Sequence, residues 1–560
     1  MNYLDKVKNE LAATLNIKAE SLVYPPNSEM GDLSWPMFEA AKMAGVNPVL
    51  LATQKAEEFS VINGIKEIKA VGPYLNFYLD QIAFIKGVLT DIKQQGKAFG
   101  SNNLGENKKV MIEYSNGNTH KELHVGHLRN ISYGDTVYKL LAANGYEAIP
   151  VSYINDFGIH TAKTIWNWQK NPDYAKSSAP KGYLLGKCYS EAARKIEDNA
   201  EAKEEVSVIM KEIESRKGHG YELWQETRQW SIDYFQQVYD DLGIKFQDTF
   251  YENNFVDKGL EIKDNLLNQG LLKKSEGAII ADLQEYNLGV LPIIRSDGTA
   301  LYPVADLALA SHKFEKYNLD ESIYIVDVRQ SLYFSQLFKI LELMGYKAKM
   351  THLSYDFLTL KTGMMASRTG NVITYQELID EAQTRTSEEV AKRHTEWSQD
   401  KINEVAKALS ISAIKFEMIK VSSDKVITFD IVDALKFEGF TAAYLQYSGA
   451  RMNSLLKKVI DFDDSVSDLT KLTSSKELGL TMKLAQYGDS VKKAGLDRDP
   501  SVIARYLFEL AQLFNDYYHD TNIMKAEENI RNARLSLVLG IKQVVQNGFA
   551  LLGLTYLEEM

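Results

Sequence analysis

The chain carries one cysteine, Cys188, in 560 residues. A lone thiol excludes an intramolecular disulfide and a cysteine-built zinc site; it fits a reducing cytosol and is expected to be buried and inert. No HExxH pair is present either, so zinc-assisted chemistry has no ready ligand set and no metal site is expected. Long uncharged apolar spans are lacking. The start, Met1 to Asp5, opens an amphipathic helix with Leu4, Val7, Leu11 and Leu15 on one stripe and lacks a signal peptide's apolar centre. A cytoplasmic product with no membrane contact is therefore expected. Basic charge is also in deficit, 64 Lys and Arg against 75 Asp and Glu, net −11. On charge alone a nucleic-acid partner is disfavoured, because a basic domain is the usual footprint. The length exceeds what a single core fills, so several domains are expected.

The most informative stretch runs from Glu113 to Arg129, EYSNGNTHKELHVGHLR. The apolar run Val110, Met111, Ile112 predicts a buried strand, broken by the turn-forming Ser115, Asn116, Gly117 and Asn118. A helix is predicted from near His124, with Leu128, Ile131, Tyr138 and Leu141 at helical spacing and a stop at Asn144-Gly145 before a new strand, Tyr146 to Tyr153. Strand, loop, helix, strand in a parallel sheet aims helix N-terminal amides at an anion. His124 and His127 lie one turn apart at that end and can reach one phosphate, and Gly126 between them leaves room for a planar base. A bare HxxH is ordinarily a surface helix start, so its neighbours decide.

With those neighbours the chain resembles the class I aminoacyl-tRNA synthetases, whose first signature His124-Val125-Gly126-His127 matches. Glu113, Ser115, Asn116, Asn118 and Lys121 resemble the arginyl-tRNA synthetases in particular. The resemblance implies an α/β fold: a Rossmann-like catalytic domain, preceded by an α+β domain and followed by an all-α anticodon-binding bundle. It implies joining of L-arginine to tRNA(Arg), with ATP giving AMP and pyrophosphate through an arginyl-adenylate, Mg²⁺ accompanying the ATP, and a monomer. It also outweighs the acidic average and demands local basic surfaces. The implied domains are residues 1–100, resting on the outer corner of the tRNA; 101–365, catalytic, with a helical insertion over about 166–235; 366–435, the second-signature loop and stem-contact region; and 436–560, the anticodon bundle.

In chain order, Glu29 to Leu33 and Val71 to Phe77 resemble the family's additional N-terminal domain, with Asn76 the candidate tRNA contact. The charged, helix-patterned insertion is expected to serve tRNA or packing rather than chemistry. His124, Gly126 and His127, with Met365 and Ser367, are the candidate ATP contacts. Glu113, Ser115, Asn116, Asn118, Glu252, Tyr302, Asp306 and Gln330 are the candidate arginine contacts. A guanidinium is a planar fork of donors, best met by carboxylates, and a desolvated Asp306 would reject neutral amino acids.

Two departures from the family pattern stand out. Its Val-Gly-x-Asp-Gln edge reads Val326-Asp327-Val328-Arg329-Gln330, which removes the usual ribose contact or shifts it to Asp327. Its second signature, Lys-Met-Ser-Lys-Ser, is replaced by Met364-Met365-Ala366-Ser367-Arg368, with neither lysine. Phosphate charge must still be met as pyrophosphate leaves; Lys121 and Arg368 are the candidates, with His124 and His127 as catalytic partners. From about residue 440 the pattern is helical, and Tyr444, Gln446 and Arg451 are the candidate anticodon contacts. A synthetase for glutamine or glutamate would want a basic pocket, contrary to Asp306 and Glu252. The altered signatures motivate a second alternative, a catalytically retired paralogue that binds tRNA or a protein.

Overall fold

The computed structural model describes residues 2–26, 30–58, 62–361, 363–364, 372–459 and 462–560. At the N-terminus, β1 (Leu33–Pro36), β2 (Ile65–Val71) and β3 (Tyr74–Leu79) form an antiparallel sheet in the order β1-β3-β2. The helices Tyr3–Leu15, Phe38–Ala44, Pro48–Glu58 and Gln81–Gln95 accompany it. The first of these buries Leu4, Val7, Leu11 and Leu15, the stripe read from the sequence. The central β3 buries Leu75, Asn76, Phe77 and Leu79, and its pairing with β1 sets Asn76 opposite Ser34 inside the domain.

The centre of the molecule is a five-stranded, wholly parallel sheet, β11-β10-β4-β5-β6. Its strands are β4 (Lys109–Glu113), β5 (Glu147–Ile154), β6 (Asp248–Tyr251), β10 (Glu321–Asp327) and β11 (Lys349–Tyr355). The apolar runs of the inner strands β4 and β10, residues 110–112 and 323–326, are what a sheet covered on both faces requires, while the outer β6 and β11 are only partly buried. The chain leaves β4 towards β5 on one side, while β10 lies on the other. This reversal opens a crevice at the carboxyl ends of β4 and β10, the usual ligand position in such sheets. Between β6 and β10 the chain makes a small antiparallel sheet, β7 (Lys273–Ser275), β8 (Ala278–Asp282) and β9 (Val290–Ile294). A third small sheet joins β12 (Leu358–Leu360), antiparallel β13 (Gly363–Met364) and parallel β14 (Ile427–Phe429). The segment between β5 and β6 is helical, Ile159–Lys170, Lys181–Ile196, Ala200–Ser215 and His219–Leu242.

The C-terminal part is a bundle of Ala442–Lys457, Ser475–Ala485, Tyr487–Asp497, Ser501–Asp520 and Glu528–Leu552. Against the expectation of no membrane-length span, Glu528–Leu552 is long and apolar enough to cross one by length and composition; 67% of its most apolar window is buried inside the protein. It packs on Ala442–Lys457, Ser501–Asp520, Gln81–Gln95 and Val125–Ala143, as a core helix does. Two candidate tRNA contacts are corrected by burial. Asn76 is 1% exposed and accepts from the Ser34 hydroxyl at 2.6 Å, because it sits on the middle strand of its sheet. Gln446 is fully buried and donates to Ser412 Oγ at 3.2 Å and to the Thr555 carbonyl at 3.0 Å, because it faces the connecting helix Gln399–Ile419.

Candidate active site

The loop after β4 is tightly held before it reaches the helix. Ser115, Asn116 and His120 adopt left-handed φ of 77°, 46° and 62°, conformations that non-glycine residues keep only where the surroundings enforce them. The Ser115 amide donates to Asn130 Oδ1 at 2.6 Å, and Ser115 Oγ pairs with the Tyr239 hydroxyl at 2.7 Å. His120 is enclosed by Thr119, Thr227 and Ser231. Burial pushes its imidazole down to about 3, so the ring is neutral. A Cβ on Gly117 would meet the Phe235 ring at 2.9 Å, so glycine lets His219–Leu242 lie directly beneath the loop. The insertion thus forms the floor of the motif loop, a closer role than its charged pattern implied.

His124 caps the helix Val125–Ala143 in extended conformation, as the turn chemistry before it predicted. Its Nδ1 accepts from the Gly126 amide at 3.1 Å, and His127 Nδ1 accepts from the His124 amide at 3.1 Å. A neutral imidazole whose Nδ1 accepts carries its proton on Nε2, so both rings keep an Nε2–H donor beyond these bonds. The rings lie 3.9 Å apart. Burial, then neighbouring charge, lowers His124 to about 4 and His127 well below the ordinary value, so both are neutral donors near neutral pH. Lys121 contributes to both shifts and stands over the Tyr189 ring at 5.0 Å.

From this loop a hydrogen-bonded path leads to the acids. The Thr119 amide donates to the Asn155 carbonyl at 3.0 Å, the Asn155 amide donates to the Gly117 carbonyl at 2.9 Å, and Asn118 pairs with Asn155 as an isolated parallel bridge. Asn155 Nδ2 donates to Glu252 Oε2 at 3.1 Å. Asp156, fully buried, accepts from Arg228, the Asn253 amide and the Asn253 side chain, and so fixes the turn that carries Glu252. Asp306, in the first turn of Pro303–Tyr317, accepts from the Tyr333 hydroxyl. Burial, then Asp306 and Asp156, raise Glu252 to about 8; burial, then Glu113, raise Asp306 to about 6. Burial, then the charges of Asp306, Glu252 and Glu113, raise the Tyr153 phenol well above its ordinary value. Among the described residues no ion pair reaches either acid; Lys313, the cation that acts on Asp306, is itself paired with Glu113.

Other candidates divide. Tyr302 is exposed at the start of its helix, and its phenol is raised by burial and then by Glu252, Asp306 and Tyr189. Gln330 is exposed at the end of the short helical turn Val328–Gln330 that follows β10, three residues before Tyr333. Asp327, considered for a ribose, pairs with Arg329, whose Nε donates at 2.8 Å. Asn116 and Asn118 are half-buried in the loop. Two arginine candidates are corrected. Glu113 is turned inward and paired with the fully buried Lys313, and Ser115, 2% exposed, spends its hydroxyl on Tyr239. Lys313 and Tyr333 were missed by sequence reading, although a lysine on the apolar stripe of a helix was a signal. Met365, Ser367 and Arg368 lie outside the described residues.

The flanks of that second signature are anchored on the first. The Val125 amide donates to the Ile373 carbonyl at 3.1 Å and the Tyr375 amide to Leu123 at 2.8 Å. On the other flank Arg129, 2% exposed, donates to the carbonyls of Phe357, Ser423 and Lys425 at 3.0, 3.0 and 2.7 Å. In the C-terminal bundle Tyr444, Tyr447 and Arg451 remain half-buried. Arg451 donates to Asn515 Oδ1 at 2.7 Å and lies 4.7 and 5.2 Å from the Tyr447 and Tyr518 rings.

Comparison with known proteins follows the same division of the chain. Residues 88–430 match the family model described as tRNA synthetases class I (R), catalytic domain. Residues 445–560 match the DALR anticodon binding domain, and residues 1–79 match the arginyl tRNA synthetase N terminal domain. An arginine–tRNA ligase of Bdellovibrio bacteriovorus is 34% identical over 551 residues, covering 97% of this chain and 94% of the relative. One of Clostridium perfringens is 33% identical over 99% of both chains. The solved arginyl-tRNA synthetase of Thermus thermophilus superposes with a TM-score of 0.83 at 26% identity, over 100% of this chain and 99% of that one.

Proposed function

The chain belongs to the class I arginyl-tRNA synthetases, and from that membership we propose where each substrate sits. The family's reaction attaches arginine to tRNA at the expense of ATP, and it is this chain's reaction. The triphosphate lies against the Nε2–H donors of His124 and His127 at the helix N-terminus. The guanidinium lies between Glu252 and Asp306, with Tyr302, Gln330, Asn116 and Asn118 around the remainder of the amino acid. The arginine carboxylate then attacks the α-phosphorus in line and pyrophosphate departs; a terminal ribose hydroxyl of the tRNA attacks the carbonyl of the resulting arginyl-adenylate, and AMP leaves as the ester forms. Positioning and charge stabilisation supply the rate, since little protein proton transfer is needed. Lys121 meets the charge developing on the leaving pyrophosphate in place of the signature lysines. Arg368 is the other residue that can do so, and Met365 and Ser367 border the nucleotide on that side.

A single observation carries this reading: the bonded path Asn118–Asn155–Glu252 ties the imidazole loop to the guanidinium acids at one edge of one sheet. Among the described residues no three His, Cys, Asp or Glu side chains converge to hold a metal; Mg²⁺ is proposed to arrive on the triphosphate, and no step is assigned to it. Tyr444 and Arg451 are proposed to meet the anticodon. A cytoplasmic monomer without membrane contact completes the proposal. Exchange of labelled pyrophosphate into ATP, with tRNA present and each amino acid in turn, is expected with arginine alone. Lys121→Ala should lower kcat on the order of a hundredfold or more. Exchange with glutamate or glutamine would overturn the pocket assignment, and unchanged turnover in Lys121→Ala would overturn its role.

A further inference from the structure

The helix Lys181–Ile196 belongs to the insertion, and nothing in its charged, helical pattern assigns it to chemistry. It nevertheless lies directly on the loop that precedes the imidazole pair. A Cβ on Gly186 would meet Glu122 Cγ at 2.0 Å and the Glu122 amide nitrogen at 2.7 Å, so the two backbones approach as closely as only glycine permits. Three residues on, on the same helix face, Tyr189 presents its ring to the Lys121 ammonium, 5.0 Å from the centroid. Tyr189 is half-buried, and its hydroxyl also influences Tyr302 beside the guanidinium acids. Glu122 and Lys121, which this helix meets at Gly186 and Tyr189, stand just before His124 in the motif loop.

We propose that Tyr189 is a positioning residue for adenylate formation: its ring face holds the Lys121 ammonium against the triphosphate, so that docking of the insertion helix through Gly186 sets the reach of that cation. A lysine stem has four rotatable bonds and costs substantial entropy to hold; an aromatic face fixes the ammonium without neutralising it, as a carboxylate would. This rests on the assignment of Lys121 to the leaving pyrophosphate.

The test is a double-mutant cycle on the full-length enzyme with tRNA present, reading pyrophosphate exchange. Tyr189→Leu should lower kcat by about three- to thirtyfold, the fold-change of a partly desolvated cation–π contact, with KM for arginine held within about twofold. Tyr189→Phe, which keeps the ring face, should recover most of that loss. In a Lys121→Met background Tyr189→Leu should add nothing. A graded loss through mono-, di- and trifluorophenylalanine at position 189, which preserve volume while draining the ring face, separates cation binding from packing. Additive effects of Lys121→Met and Tyr189→Leu, or indifference to ring fluorination, overturn the positioning role and leave the Lys121 assignment standing. Exchange that survives Lys121→Met overturns both.

Discussion

Glu252 is raised to about 8 by burial and then by Asp306 and Asp156, and Asp306 to about 6 by burial and then by Glu113, so both hold a proton below those values. A guanidinium between them favours the ionised forms, so arginine must expel protons as it binds. Between pH 6 and 8 arginine affinity should climb by up to roughly tenfold per pH unit and then level off. Calorimetric titration at pH 7 in two buffers of different ionisation enthalpy should register release of about one proton. The stability sign is opposite for the empty enzyme. A carboxyl raised on folding stabilises fully below its unfolded value, and that contribution is lost as pH rises through about 8 for Glu252. Saturating arginine should therefore raise the melting temperature more at pH 8.5 than at pH 6. Affinity independent of pH, with no proton release, would remove the two acids from the pocket. The resemblance to the family proposed these two acids as guanidinium contacts, and burial of both carboxyls is what the structure adds. The sequence could not reveal which polar groups turn inward: Asn76 is buried by Ser34, Gln446 by Ser412 and Glu113 by Lys313, partners 34 to 200 residues away.

Elements were legible in proportion to the length of their apolar runs. β4 and β10 show themselves as apolar runs, residues 110–112 and 323–326, whereas β5 is broken by Pro150 and Ser152 although its last six positions are buried. The edge strand β1 ends in proline, and β7 reads Lys-Lys-Ser with every position exposed, so neither leaves a periodic trace. The motif helix shows why such short pieces matter. Its Arg129 is the common anchor of three carbonyls from the segments around β12 and β14, the root of the second-signature loop. Arg129→Lys keeps the charge and three donors but gathers them on one nitrogen, which lacks the fork by which Nη1 reaches Phe357 and Nη2 reaches Ser423 and Lys425, and each buried carbonyl left unpaired costs about 1–3 kcal/mol. The variant should melt lower, and KM for ATP should rise several-fold while KM for arginine stays within about twofold, since the acids lie on other loops. Equal rises in both constants would mean that Arg129 supports the whole domain rather than the nucleotide side.

At the scale of the molecule the acidic average misled: the chain belongs to a tRNA-charging family despite a net charge of −11. Charge summed over 560 residues carries no information about which faces are basic. The interior junction between units is more telling. Lys415, 1% exposed on the connecting helix Gln399–Ile419, donates to the Leu242 carbonyl at 2.9 Å, closing the last insertion helix, and to Asp135 of the motif helix at 3.3 Å. Gly553, at φ +65° after the last bundle helix, lies over it, where a Cβ would meet Lys415 Nζ at 2.6 Å and Asp135 Oδ2 at 2.7 Å. Insertion, motif helix and C-terminal turn thus converge on one ammonium. Burial, opposed by Asp135, lowers that ammonium to about 8. Between pH 8 and the ordinary lysine value the unfolded chain holds a proton that the folded protein has given up, so rising pH adds stability, by up to about 1.4 kcal/mol per unit. Denaturant unfolding of the native enzyme and Lys415→Met at pH 7.5, 8.5 and 9.5 isolates this contribution from every other titrating group. The stability difference should widen in favour of the native enzyme with each step. Parallel profiles would show that Lys415 is as well solvated by its partners as by water, and that the junction is held by packing alone.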